Sequence, residues 1–338
     1  MSNYKYMYTW ITRFFSIYRY MSLQILEVLN DGRLVSGRAN GIIIIYNKKT
    51  YQPDIIIKEH TNSINCLKQL NTGILASCSD KTIKLFKIKI LDYEIIQTLN
   101  FHKDIIFQIV ELNNNYLVSY SNDNTILFYF QYGQEYQKDY NISINGACGS
   151  LIQTKENEIC YSEKNTDNKG NPIFNNDYNN DSNNDYNNYS NNYDFNRITI
   201  HFFDLNERKI KQSISNISYS SGQFIMIKED LLLIPGQQKF SIININHYIL
   251  GRIIDITDNN LMPMNYGIYG IYGVCMLNQN MLLTGDSYGT IKQWRIEGDN
   301  LILISKKEKA HENTIYVLKN IGNGFIASFA GDNKIKIW

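Results

Sequence analysis

The residues of this 338-residue chain best suited to metal binding or nucleophilic chemistry are its five histidines and five cysteines. A structural zinc site needs thiolates and imidazoles in close groups, yet Cys66, Cys78, Cys148, Cys160 and Cys275 form no CxxC and no tight Cys/His cluster. An odd number cannot pair completely, so they read as buried, reduced thiols of an intracellular protein. None of His60, His102, His201, His247 and His311 has a Cys or carboxylate partner at a recognisable spacing, and HExxH, GxSxG and Walker patterns are absent. The run Gly-Ile-Tyr-Gly-Ile-Tyr-Gly at 267–273 misses GxGxxG and precedes a strand, whereas a phosphate cradle needs a helix N-terminus behind it. It reads as a Tyr-bearing loop. The expectation is a protein with no catalytic residues, no metal and no cofactor.

Charge and hydropathy narrow the partners. Lys and Arg number 33 against 32 Asp and Glu, a formal net charge of +1, so there is no global basic excess for a nucleic-acid backbone. No stretch reaches the roughly 18–20 uninterrupted apolar residues of a membrane span. Residues 1–26 contain Lys5, Arg13 and Arg19 and no acid, but lack the apolar centre of a secretory signal. A cytoplasmic protein is expected, with no nucleic-acid or membrane partner.

The elements that hold these side chains repeat along the chain. Ile-Leu-Ala-Ser-Cys-Ser-Asp-Lys-Thr-Ile-Lys-Leu-Phe (74–86) has counterparts at 34–46, 117–129, 281–294 and 325–338, with two weaker copies between them. The aromatic or equivalent residue closing each copy stands at 46, 86, 129, 203, 243, 294 and 338. The spacings are 40, 43, 74, 40, 51 and 44, and the two long ones hold loop-like excess. Period-2 alternation, β-branched residues and polar turns mark four short strands per copy. In the second copy these are 53–59, 64–70, 74–77 and 82–88. Four-stranded sheets repeated seven times at 40–45 residues predict an all-β fold, a single seven-bladed β-propeller.

His60, Ser77, Asp80 and Phe86 together resemble the WD-repeat signature, as do His102, Asp123 and Tyr129. His311, Ser328, Asp332 and Trp338 resemble it most closely. The resemblance to the WD-repeat (WD40) family covers roughly residues 11–338, with 1–10 as an extension. It implies a buried hydrogen-bond network of His, Ser, Asp and Trp within a blade. Blade one departs from it with Arg19 and Asn40, blade six with Tyr288, and blades four and five almost entirely. Blades four and five are expected to rely on apolar packing alone. No residue follows Trp338 to form an outer strand for the last blade, and aligning the first two repeats assigns residues 11–18 to that role, an N-terminal strand closing the ring.

Residues 165–196 hold 14 Asn, five Asp, four Tyr and one Lys, too little aliphatic surface to fold, and read as a disordered Asn-rich insertion in blade four. The family's top-face contacts fall about five residues after the His. By counting and alignment those positions are Gln24, Asn65, Phe107, Tyr272 and Tyr316. Aromatics with polar tips at a concave mouth suit a peptide side chain. The sequence therefore predicts a non-catalytic scaffold that binds a protein or peptide partner on the top face. The alternatives are a structural subunit of a ciliary, cytoskeletal or trafficking assembly and, more remotely, a propeller enzyme.

Overall fold

The computed structural model describes residues 26–133, 135–144, 148–164, 197–218, 222–236, 239–255, 270–332 and 334–338. They form seven antiparallel sheets. Six have four strands each and span residues 26–57, 64–99, 106–143, 148–218, 225–255 and 271–307. The seventh contributes Ile315–Gly322, Phe325–Ala330 and Ile335–Ile337. Within every sheet the strands pair in chain order, so each sheet is a meander. The residues proposed as a closing strand, 11–18, lie outside the described residues, as do the insertion at 165–196 and the extension at 1–10.

The strands follow from composition. In blade two they run Ile64–Gln69, Leu75–Ser79 and Thr82–Ile88, with Tyr93–Leu99 outermost. The first three alternate buried Ile, Leu, Ala and Cys with side chains that meet the neighbouring sheet, as a two-sided sheet requires. The segment Pro53–Ile57, which opens the second sequence repeat, is the outermost strand of blade one. The repeat and the blade are therefore out of phase by one strand, which ties each blade covalently to the next.

The first strands of successive blades adjoin around the centre at six junctions, including blade seven's return to Leu26–Val28 of blade one, and between blades four and five the Phe224 N–H donates to Ser150 Oγ at 3.0 Å. The core is divided accordingly. Buried apolar residues form seven clusters, each at one junction between neighbouring blades. The junction of blades seven and one packs Val317 and Ala327 against Leu26 and Leu34, and Lys319 Nζ lies 3.1 Å from Glu27 Oε2 across it. Seven sheets with seven junctions make a closed ring. Each buried Leu or Ile adds about 1.5–3 kcal/mol, so closure is enforced by side chains spread over the whole circumference.

Candidate functional site

Three histidines stand at the same place, just before the first strand of blades two, three and seven. Each meets a serine 17 residues later, on the second strand. His60–Ser77, His102–Ser119 and His311–Ser328 all have Nε2 to Oγ distances of 2.7 Å. In blade seven His311 Nδ1 lies 3.0 Å from Asp332 Oδ2, and Trp338 Nε1 donates to Ser328 Oγ at 2.8 Å. A carboxylate only accepts, so His311 carries its proton on Nδ1 and its Nε2 accepts from the serine hydroxyl. The serine oxygen is then free to accept from the indole. The chain of donors runs Trp338, Ser328, His311, Asp332. Blade three repeats it with His102 Nδ1 3.0 Å from Asp123 Oδ2 and Ser119 3.3 Å from the Tyr129 hydroxyl.

Electrostatics agree with neutral imidazoles. Burial lowers the pKa of both His102 and His311, against the opposing pull of Asp123 and Asp332. Burial alone would raise Asp123, but hydrogen bonds from Thr125, the Lys103 N–H and His102 hold it below the usual carboxylate range.

Blade two departs from the sequence expectation at Asp80. Its carboxylate bonds Asn62 Nδ2 rather than His60. The cause is turn length. Ser119 and Ser328 precede their aspartates by four residues, Ser77 precedes Asp80 by three. Ser79 pairs directly with Thr82, leaving a two-residue hairpin with Asp80 at φ +47°. That geometry turns the carboxylate away from the blade interior. Phe86 has no polar hydrogen and offers His60 a ring edge at 6.5 Å. Burial, and then the Lys84 charge, lowers the His60 pKa to about 4.

The hydroxyl–aromatic half of the network is wider than the signature shows. Ser36 Oγ lies 3.0 Å from the Tyr46 hydroxyl in blade one, and Trp294 Nε1 donates to Thr284 at 2.9 Å in blade six. Both pairs are ten residues apart, as are Ser119–Tyr129 and Ser328–Trp338, a spacing the sequence carries in four blades. Tyr288 of blade six is half-buried against the junction with blade five. Blades four and five meet through Ile198, Ile200, Phe202, Leu232, Ile234 and Ile243.

At the top-face positions, Tyr272 and Tyr316 lie on the inner strands of blades six and seven. Their rings meet edge to face at 6.1 Å, and each side chain is 7% exposed. Their hydroxyls stand beside Gly270 and Gly331, in turns on the histidine-bearing face. Beneath them a cavity of about 250 Å³ is lined by Phe224, Gly273, Val317 and Lys319 among others. Phe107 is half-buried with its ring 5.5 Å from Tyr120, and Asn65 is buried. Gln24 lies outside the described residues. The structure thus brings Tyr272 and Tyr316 together and keeps Phe107 and Asn65 in the blade walls.

Two constellations escaped the sequence. Cys66 and Cys78 face each other across adjacent strands of blade two, both buried. In blade four, Glu163 Oε2, His201 and Ser213 form a hydrogen-bonded row, with distances of 3.0 and 2.8 Å. Glu163 and His201 are separated by the insertion, which hides their pairing along the chain. The row lies across three strands of a sheet and does not line the cavity beneath the tyrosines. Among the described residues no group of His, Cys, Asp and Glu could hold a metal ion, and no helix is long and apolar enough to cross a membrane.

The family model for the WD domain, G-beta repeat, matches residues 52–87, the outer strand of blade one with three strands of blade two. The chain is a β-propeller with a WD repeat at its second blade. Solved structures share the architecture at low identity. A chain of the mitotic checkpoint complex is 9% identical with a TM-score of 0.69, over 94% of this chain and 89% of that one. The β-propeller domain of Cps50 (Swd1) from Myceliophteria thermophila is 12% identical with a TM-score of 0.62, over 93% and 95%. The computationally designed Ika8 protein is 18% identical with a TM-score of 0.58, over 93% and 82%. No curated protein matches the sequence. At these identities the likeness speaks for the fold.

Proposed function

We propose that the propeller is a non-catalytic platform for a protein partner, with the mouth formed by Tyr272 and Tyr316 as its contact. The observation that carries this reading is the cavity of about 250 Å³ beneath two phenol tips, held on inner strands of a closed ring. A preformed surface of this kind loses little entropy on binding. Tyrosine offers an apolar ring and a hydroxyl that donates and accepts.

The test must respect burial. Alanine at both positions would open the junction of blades six, seven and one and confuse folding with binding. The double variant Tyr272→Phe/Tyr316→Phe keeps the rings and removes only the hydroxyls. Its circular dichroism spectrum and cooperative melting are expected to be retained, while affinity purification coupled to mass spectrometry loses the partner. Full retention of the partner would move the contact elsewhere.

One observation favours the second reading, a subunit docked by its blade sides. The outer strands of blades four, five and six expose Ile210, Ile249, Ile253, Ile302, Leu303 and Ile304, each between 38% and 60%. Under that reading Ile302→Ser/Ile304→Ser, rather than the tyrosine variant, releases the partner.

A further inference from the structure

The outer strand of blade six, Asn300–Lys307, ends its sheet. Among the described residues it pairs on one side only, with Ile291–Glu297. The other edge presents backbone N–H and C=O groups, a template on which a further strand can form.

Folded proteins blunt such edges with short strands, prolines or charges along the strand. The outer strand of blade one has five residues and opens on Pro53. That of blade three carries Glu135, Lys138 and Asp139. The strand in blade six has eight residues, no proline, and lysines only at its last two positions. Its middle exposes Ile302, Leu303 and Ile304 at 38%, 44% and 43%. Among the described residues no other outer strand exposes even two large apolar side chains in succession. Ser305 pairs with Gln293 and Leu303 with Trp294, so Ile304 is bulged and the in-and-out alternation is broken there.

The charges sit at the two ends with opposite sign. Asp299 precedes the strand, and Lys306 and Lys307 close it. Their neighbours are matched inside the blade. Arg295 Nε lies 2.6 Å from Glu297 Oε1, and Lys306 Nζ 2.8 Å from Glu308 Oε1. Lys228 reaches the acidic end but donates to Gly298 O rather than to a carboxylate. Lys307 Nζ lies 4.4 Å from the Trp338 ring centre. Neither Asp299 nor Lys307 has an oppositely charged partner among the described residues.

A strand that is acidic at one end, aliphatic in the middle and basic at the other complements its own reverse. Parallel alignment of two copies sets like charges together, and antiparallel alignment joins opposite ones. With a two-fold axis at Leu303, Ile302 of one copy faces Ile304 of the other and Leu303 faces its counterpart. Lys307 and Asp299, each four residues from Leu303, then face each other twice.

We propose that the outer strand of blade six is a homodimer interface, joining two copies of this chain edge to edge as antiparallel strands. A two-fold contact uses the same patch on both copies, so it closes and covers the edge. It engages the rim of the ring and leaves the mouth of Tyr272 and Tyr316, on inner strands, open to its own partner. An eight-residue strand pair is a small contact, which places the association in the weak, reversible class.

Sedimentation equilibrium of the full-length chain from about 10 to 500 µM reads the monomer–dimer balance. The expected largest species is a dimer. Leu303→Lys sets two ammonium groups against each other on the axis and should weaken association about tenfold or more, as should Leu303→Glu with two carboxylates. An equimolar mixture of the two variants places Lys against Glu and should regain the dimer, as a heterodimer seen by native mass spectrometry. Leu303 is exposed, and thermal melting checks that both variants keep the parent fold. A parent that stays monomeric throughout, an open series of larger species, a Leu303→Lys variant that dimerises like the parent, or a mixture no more dimeric than its components overturns the assignment.

Discussion

His60 meets Ser77 but no carboxylate, and that absence sets its acid–base behaviour. Burial and Lys84 bring its pKa down to about 4. An unfolded chain takes up the proton near pH 6.5, the folded chain only near pH 4. Its contribution is therefore complete above pH 6.5 and is lost as pH falls from there towards 4. Urea midpoints measured from pH 7 to pH 4 should decline less steeply for His60→Gln than for the parent, and identical declines would remove His60 from the account. His102 and His311 face aspartates that oppose the same loss. At this scale the sequence was informative about residue type and less so about geometry. His60 and Ser77 were legible, while Asp80 was misplaced because one missing turn residue redirects a carboxylate. The burial of Tyr272 and Tyr316 was not legible, since a tyrosine at a channel mouth and one in a channel wall look alike in a string of letters.

The elements are held together by devices that recur in several blades. Gln69 Oε1 accepts from Asn30 N at 2.6 Å, Glu111 Oε2 from Asn71 N at 2.8 Å and Gln153 Oε1 from Asn113 N at 3.0 Å. Each ties the end of one blade's first strand to the turn of the blade before. A second device is the glycine in the turn between second and third strands. Gly41 and Gly289 have φ of +79° and +73°, and a Cβ on either would overlap the carbonyl oxygen of the following blade's histidine, His60 or His311. His311 N in turn donates to Gly289 O at 3.0 Å. Gly289→Ala must strain its backbone and push a neighbouring blade away, so it should cost about 2 kcal/mol or more in chemical denaturation. A neutral effect would mean the turn is not packed on the histidine loop. Strand positions in blade two were readable to within about two residues, because period-2 burial is a local property. Contacts such as Arg208 on Tyr140, 68 residues apart, depend on which blades become neighbours and leave no local trace.

As a whole molecule the propeller is a ring whose stiffness comes from seven similar junctions rather than one core. The blade count was legible because each copy closes on its own large apolar marker, aromatic in six copies and Ile243 in the fifth, even across a spacing of 74 residues. Aligning repeats assigns the outer strand of blade seven to residues 11–18, which lie outside the described residues; among the described residues the first strand of blade one adjoins the first strand of blade seven. A rigid platform with a mouth on one face requires that this junction be shut in solution. Glu27 and Lys319, 292 residues apart, are the ion pair across it. Zero-length carbodiimide coupling of the monomer fraction, followed by peptide mass spectrometry, joins such pairs covalently. The account predicts a Glu27–Lys319 amide within a single chain, alongside the Glu312–Lys334 amide expected inside blade seven. Recovery of the blade-seven link without the Glu27–Lys319 link, or of the latter only in cross-linked dimers, would contradict a closed ring.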